Sequence, residues 1–339
     1  MTDDDAGPNR IPFVPVTLSD VAREARVGES TASRVLRNQG SFSERTRSRV
    51  KAAAERLGYV PNRIAGTLAS TGSRLIGIVV PSFANIVFAE VLRGANAVLD
   101  DTDFQSVIGV TDYRQEQEER LVSSLLAWRP AGFILAGLEH SPAATTMLKA
   151  SGARIAELLD IDGAGLDIVV GFSNEAAGRA SARHLVARGY RRIGYVGHDL
   201  DRDLRAAKRF RGFAQALAEA GLSLHDREVV GQPSSVEAGK DGLARLLDRR
   251  SGLDAVYFSN DDMALGGYFL CLARGLAVPR DLALFGYNGL DIARHTPQPL
   301  TTLRTPRLRI GEIGARLLVS GAPAQVVDVG FELVEGATA

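Results

Sequence analysis

The sequence predicts two modules of different class: a small all-α module near the N-terminus, and a large α/β region of two subdomains built on parallel sheets. Three observations carry that prediction. The chain has 339 residues, room for two to three domains at about 150 residues each. Between residues 17 and 57, apolar side chains recur with helical spacing in three short stretches. From residue 75 onward, compact apolar runs alternate with longer amphipathic ones, the pattern of buried strands joined by right-handed crossover helices.

Hydrophobic residues make up 45% of the chain and charged residues 24%, which excludes wholesale disorder. No apolar run approaches the roughly 18 residues of a membrane helix, so no membrane partner is expected. Residues 1–14 hold Asp3, Asp4 and Asp5 and lack a basic-then-apolar stretch, so they read as a disordered tail and not as a secretory signal. The single cysteine, Cys271, offers neither an internal disulfide nor a cysteine zinc site. A cytoplasmic protein with no metal and no cofactor is expected. The net charge of zero hides a split: residues 15–72 carry ten Arg and Lys against five acids, a net +5. Such a segment suits a polyanion, although a solvated helix face would look the same.

In the first module, Thr17 followed by Asp20 predicts a capping box for a helix whose stripe is Leu18, Val21, Ala22 and Ala25. A break at Arg26-Val27-Gly28 precedes a second helix, Glu29 to Leu36, with Ala32, Val35 and Leu36 inward. Ser43 caps a third, with Val50, Ala53, Ala54 and Leu57 inward, stopped by Gly58 and Pro61. Two short helices joined by a tight turn and closed by a third make a helix-turn-helix module. The second helix leaves Glu29, Ser30, Thr31, Ser33 and Arg34 outside its stripe: hydroxyls suited to phosphates and an arginine able to grip a guanine edge. A plain three-helix bundle with a polar face fits the periodicity equally well.

In the large region the strands are predicted at Leu75–Val80, Gln105–Val110, Gly132–Ala136, Arg154–Leu159, Ile168–Phe172, Arg192–Val196, Ala255–Ser259 and Leu282–Gly286. Helices are predicted at Val87–Leu99, Gln115–Trp128, Glu175–Arg188, Arg209–Ala220 and Met263–Arg274. So many strands exceed one doubly wound sheet, which implies two subdomains and a cleft. Ligands of open parallel sheets bind beyond the carboxyl ends of the strands. Those ends carry Asn85, Tyr113, His140, Glu157, Asp160, Asn260, Asp261 and Asn288, hydrogen-bonding groups that suit a polyhydroxy ligand. Singly, a strand-end Asp or Asn is as readily a helix cap.

Thr17-Leu18-Ser19-Asp20-Val21-Ala22-Arg23-Glu24-Ala25 through Thr31-Ala32-Ser33-Arg34-Val35-Leu36, with Gly58-Tyr59-Val60-Pro61-Asn62-Arg63, resembles the headpiece of the lactose-repressor (LacI/GalR) family. The resemblance implies that the second helix enters the major groove. Glu29, Ser30 and Arg34 would read bases, Thr31, Ser33 and Asn38 would hold phosphates, and Thr17 and Asn62 would complete the DNA-contacting set. Residues 61–72 would form a hinge that becomes helical when two subunits meet on DNA, with Leu68 wedged into the minor groove. Three positions depart from the family pattern: Arg26 where Gly is common, Gly28 where Ser or Thr caps the helix, and Glu29 where a neutral or basic reader is common.

For the large region the resemblance implies a fold like the periplasmic sugar-binding proteins (type I). Its subdomains would be about 73–172 plus 303–322 and 173–302 plus 323–339, with chain crossings near Phe172-Ser173, near Leu300–Leu303 and near the C-terminus. Arg209, opening Arg209-Phe210-Arg211-Gly212-Phe213, matches the family's ligand-facing arginine. Asn288 stands where the family usually has Asp, which suits a ligand with its own carboxylate. Asn85 through Gly94 (including Phe88), Asp167 through Phe172, Asn260-Asp261-Asp262, and the settings of His140 and Glu157 resemble the gluconate- and idonate-utilisation repressors.

The expected protein is therefore a regulator of transcription, most simply a repressor. It would act as a homodimer on double-stranded operator DNA and respond to a small sugar-acid effector. A neutral sugar or sugar phosphate as effector is the alternative, and a solute-binding protein a remoter one. Nothing resembles a phosphate-gripping loop, a paired-His metal motif or an elbow serine, so no enzyme is expected. The stretch from Glu332 to Ala339 has no leucine heptad that would join dimers into tetramers.

Overall fold

A computed structural model of the chain describes residues 15–60, 73–249 and 252–339. The acidic tail, Asn62, Leu68 and the rest of the hinge lie outside the described residues. Two compact units result, one on each side of residues 71 and 72.

Among the described residues the first unit has three helices, α1 (Leu18–Glu24), α2 (Glu29–Leu36) and α3 (Glu44–Leu57). Local chemistry sets their ends. The Thr17 hydroxyl accepts from the Asp20 N–H while the Asp20 carboxylate accepts from the Thr17 N–H, the reciprocal capping box. Ser43 caps α3, and Gly58 ends it at φ +65, a left-handed turn that costs glycine little. The predicted stripes meet in one core of Val21, Ala22, Ala25, Ala32, Val35, Val50, Ala53 and Ala54.

The second unit holds two six-stranded sheets. Its elements in order are β1 (Leu75–Val80), α4 (Ile86–Leu99), β2 (Gln105–Val110), α5 (Gln115–Leu126), β3 (Gly132–Ala136), α6 (Pro142–Ser151), β4 (Arg154–Leu158) and β5 (Ile168–Gly171). Then come α7 (Asn174–Ala187), β6 (Ile193–His198), α8 (Leu204–Glu219), β7 (Asp226–Val230), α9 (Val236–Asp248), β8 (Ala255–Phe258), α10 (Asp261–Ala273) and β9 (Ala283–Asn288). After a 3-10 turn, β10 (Thr301–Arg304), α11 (Arg307–Val319), β11 (Gln325–Asp328) and β12 (Glu332–Val334) complete the chain. Strand order is β11-β5-β4-β3-β1-β2 in the first sheet and β12-β10-β9-β8-β6-β7 in the second. All pairings are parallel except β10 with β12. Among the described residues no helix is long and apolar enough to cross a membrane.

The subdomain boundaries need two corrections. β10 extends to Arg304 because it pairs in register with β9, so the chain crosses at Thr305-Pro306, after the expected Leu300–Leu303. β11 was expected in the second subdomain, within 323–339, but its four residues pair with β5 of the first sheet. The last crossing is therefore residues 329–331, where the Val329 N–H donates to the Gly171 carbonyl and Phe331 packs edge-on against Phe172. β11 pairs in parallel with β5 from Gln325 opposite Ile168 to Asp328 opposite Gly171, and so forms the edge of the first sheet.

Helices α7 and α8 cover one face of the second sheet and cross at two glycines. A methyl group on Gly178 would strike the Arg209 carbonyl, and one on Gly212 would strike that of Glu175. Backbone contact at this crossing fixes how far α8, with its charged first turns, reaches toward the first subdomain. Gly178→Ala should lower stability by about 1–3 kcal/mol through overpacking. A thermal midpoint equal to wild type would contradict the crossing.

Two residues expected at the cleft instead build the first subdomain. His140 lies between Glu118 (Nδ1 to Oε1, 2.5 Å) and Glu157 (Nε2 to Oε1, 3.2 Å), its side chain 3% exposed. Glu157 is fully buried and also accepts the Leu166 N–H at 2.5 Å. Burial alone would lower the imidazole pKa, but bonds to the two carboxylates outweigh it and push it up to about 9. A pKa raised above the unfolded value of about 6.5 gives stability that is complete below that pH and lost as pH rises through about 9. Wild type should therefore lose thermal stability between about pH 7 and 9.5, and His140→Gln, less stable at pH 6.5, should lose less across that window. Equal slopes in the two melting series would contradict a charged His140.

Candidate functional site

In the first unit, α2 presents one polar face. Glu29, Ser30 and Arg34 are exposed, and Thr31 and Ser33 are half-buried. Gly28 sits at the N-cap with extended backbone and no side-chain cap, so no N-cap side chain meets the first N–H groups of α2. Arg26 adopts φ +52, the left-handed region, which explains why glycine is favoured at that position. The Arg34 guanidinium lies 5.5 Å over the Phe42 ring and beside Gly40, where a Cβ would oblige it to shift. Phe42, absent from the sequence reading of this face, is thus a platform for Arg34. Asn38 is left-handed at φ +54 and accepts from Arg47. The Thr17 hydroxyl donates to Asp20 Oδ2 at 2.6 Å, so it is largely used in capping.

In the second unit, the carboxyl ends of both sheets face a partly open cavity. Of the residues singled out in the sequence, Asn85, Phe88, Arg209, Asn260 and Asn288 line it. Asn85 caps α4 by accepting from Val87 (3.0 Å), which seats Phe88 against the opening. The other wall is the start of α8. Asp203 caps that helix, accepting from Ala206 at 3.1 Å, and Arg205 and Arg209 follow one turn apart on the same face. Arg209 donates to Asn174 Oδ1 at 3.0 Å and lies 4.0 Å over the Tyr287 ring. Arg205 reaches across to lie 5.1 Å over Phe88. Burial would raise the Asp203 carboxyl, but Arg205, Arg209 and His198 hold it below its ordinary value, so it stays ionised. Opposite, Asn288 donates to Asn260 at 2.9 Å, and Asn260 donates to Ser234 at 2.9 Å. Among the described residues two buried guanidinium atoms, Arg205 Nη1 and Arg209 Nε, have no hydrogen-bond partner.

The remaining candidates lie elsewhere. Asp160 is consumed by an ion pair across the two subdomains: its Oδ2 accepts from Lys208 Nζ at 2.5 Å, and Lys208 also meets Glu139. Asp261 accepts from the Thr302 hydroxyl and the Leu290 N–H, both at 2.7 Å, so it pins the loop after β9. Burial pushes its carboxyl up to about 6, although those two bonds oppose the shift. His140 and Glu157 pair with each other away from the cavity. Tyr113 lines an adjoining space at the cleft mouth and meets Phe88 edge-on, centroids 6.3 Å apart. The cavity also takes in Tyr287, at the same predicted strand end as Asn288, and Asn174, Asp203, Arg205 and Thr305, which were not expected there. Of these only Arg205 left a trace in sequence, its i, i+4 spacing from Arg209.

Comparison with known proteins agrees with both units. Residues 17–62 match the family of bacterial regulatory proteins of lacI type, and residues 182–339 match the periplasmic binding protein-like domain. The HTH-type transcriptional regulator GntR of Pseudomonas aeruginosa is 40% identical over 94% of each chain. A LacI-family transcriptional regulator of known structure from Silicibacter pomeroyi is 42% identical, with a TM-score of 0.92 over 96% of this chain and 99% of that one. The lac repressor dimer bound to operator is 26% identical, with a TM-score of 0.79 over 96% and 99%. These relatives are regulators and not enzymes, and with a headpiece and a cleft of the same build, the chain belongs to the LacI family of DNA-binding transcriptional regulators.

Proposed function

We propose that the protein is a cytoplasmic, homodimeric repressor of genes for sugar-acid use, released from its operator when a gluconate-type acid occupies the cleft. The observation that carries this reading is the pair of unpartnered guanidinium atoms, Arg205 Nη1 and Arg209 Nε, in a cavity whose far wall is amide. Buried charged donors seek acceptors, and a ligand carboxylate supplies them while its hydroxyls meet Asn85, Asn260 and Asn288. The likeness of several segments to gluconate- and idonate-utilisation repressors supports the same ligand class. On the DNA side, Glu29, Ser30 and Arg34 read bases, and Thr31, Ser33 and Asn38 hold phosphates. Thr17, Asn62 and Leu68 complete the set. The lac repressor relative is a dimer on its operator, which supports two headpieces per site.

Release follows from differential affinity. A ligand that weakens operator binding 100-fold must be coupled to it by about 2.7 kcal/mol, and operator then weakens the ligand equally. A gel shift on the gene's own upstream DNA, with and without gluconate, tests the reading; tight binding of a neutral sugar or a sugar phosphate with failure of every sugar acid would favour the alternative effector. Arg209→Ala should lose about 10- to 100-fold in gluconate affinity by calorimetry, and its operator complex should survive gluconate concentrations that release wild type. Arg34→Ala should cost about 1–3 kcal/mol of discrimination between operator and random DNA. An equal loss on both DNAs would make Arg34 a phosphate contact.

A further inference from the structure

We infer that Arg205 is a specificity-determining residue of the effector site: with Arg209 it grips the carboxylate of the ligand, and by its stacking on Phe88 it ties that carboxylate to the opposite subdomain. The inference rests on the sugar-acid reading above and adds to it a residue and a mechanism of closure.

The position of Arg205 is unusual for a side chain of its kind. It is 9% exposed, and its Nη1 is buried without a partner. The nearest carboxylate, Asp203, stands 3.9 Å from its Nε, beyond hydrogen-bond reach, and already caps α8. Arg209 has the same deficit at Nε, while its Nη1 donates to Asn174. Two guanidinium groups one helical turn apart, both lining one cavity and each with a buried nitrogen that lacks a partner, form a clamp for a single planar anion.

The two arginines differ in what else they touch. Arg209 is anchored wholly within the second subdomain, on Asn174 and Tyr287. Arg205 leaves that subdomain and lies over Phe88 of α4, which is buried in the first. A carboxylate held by both is therefore felt across the cleft, whereas a neutral polyol on Asn260 and Asn288 engages one wall. Charge and closure are read by the same side chain.

The test compares gluconate with its neutral isostere gluconamide by calorimetry on full-length wild type, Arg205→Gln and Arg205→Lys. Wild type should prefer gluconate by about 10- to 100-fold. Arg205→Gln should lose most of that preference by weakening gluconate while holding gluconamide within about threefold, and Arg205→Lys should regain part of it. Gluconate should also release operator from wild type at lower saturation of the site than from Arg205→Gln. Equal losses for both ligands would reduce Arg205 to a packing strut and overturn the inference, as would an unchanged preference. Failure of wild type to bind any six-carbon sugar acid would remove the sugar-acid reading and this inference together, an outcome distinct from normal gluconate binding with an unaltered variant.

Discussion

Cationic side chains buried between the two subdomains are the constraint on which the second unit depends. Water would solvate a lysine or arginine at little cost, but inside the protein each must find acceptors. Lys208 of α8 finds them in Asp160 and Glu139, both at strand ends of the first sheet. Arg307 of α11 answers from the other side, pairing with Glu90 at 2.7 Å and donating to the Asn288 carbonyl. These pairs hold the crossing segments and the loops after β4 and β9 together, and they decide which strand-end groups remain available to a ligand. Asp160 is withdrawn, whereas the two asparagines stay.

Supply of these charges depends on α8, whose placement is set by backbone contact at Gly178 and Gly212. Cβ atoms at either glycine would push α8 away from α7 and shift Arg205, Lys208 and Arg209 together. Asn174, the first residue of α7, bonds to Arg209 and to Asp160, so the same helix pair orients the cavity arginine and one end of the ion pair. Packing and electrostatics are thus one arrangement here.

Much of this was legible in the sequence where the cause is local. α2 and α3 begin and end where predicted because Gly28, Ser43 and Gly58 act on their neighbours. The strands from Leu75 to Phe258, apart from 226–230, stand out as apolar runs. Illegible parts have remote causes. α8 was expected to begin at Arg209 and begins at Leu204, because Arg205 and Lys208 look like a solvated turn until partners on the other subdomain are seen. The helices 142–151, 236–248 and 307–319 and the strands 226–230, 301–304, 325–328 and 332–334 carry weaker patterns that pairing and packing complete. Asp160 and Asp261 looked like ligand groups, but Lys208 lies 48 residues beyond the first and Thr302 lies 41 beyond the second. No spacing rule reaches that far.

Charge balance in the cavity argues for the effector class beyond any single contact. Arg205 and Arg209 bring two positive charges, and Asp203, ionised by their proximity, returns one negative. An Asp at the position of Asn288 would have completed neutrality within the protein. The amide instead donates to Asn260, and the residues that line the cavity keep a net charge of +1. A neutral sugar would enclose that charge in a site of lowered dielectric without relieving it, and a dianion would overshoot. A monoanion with hydroxyls along its chain matches both the residual charge and the amide wall, and on the proposed reading that match is what converts occupancy of the cleft into closure.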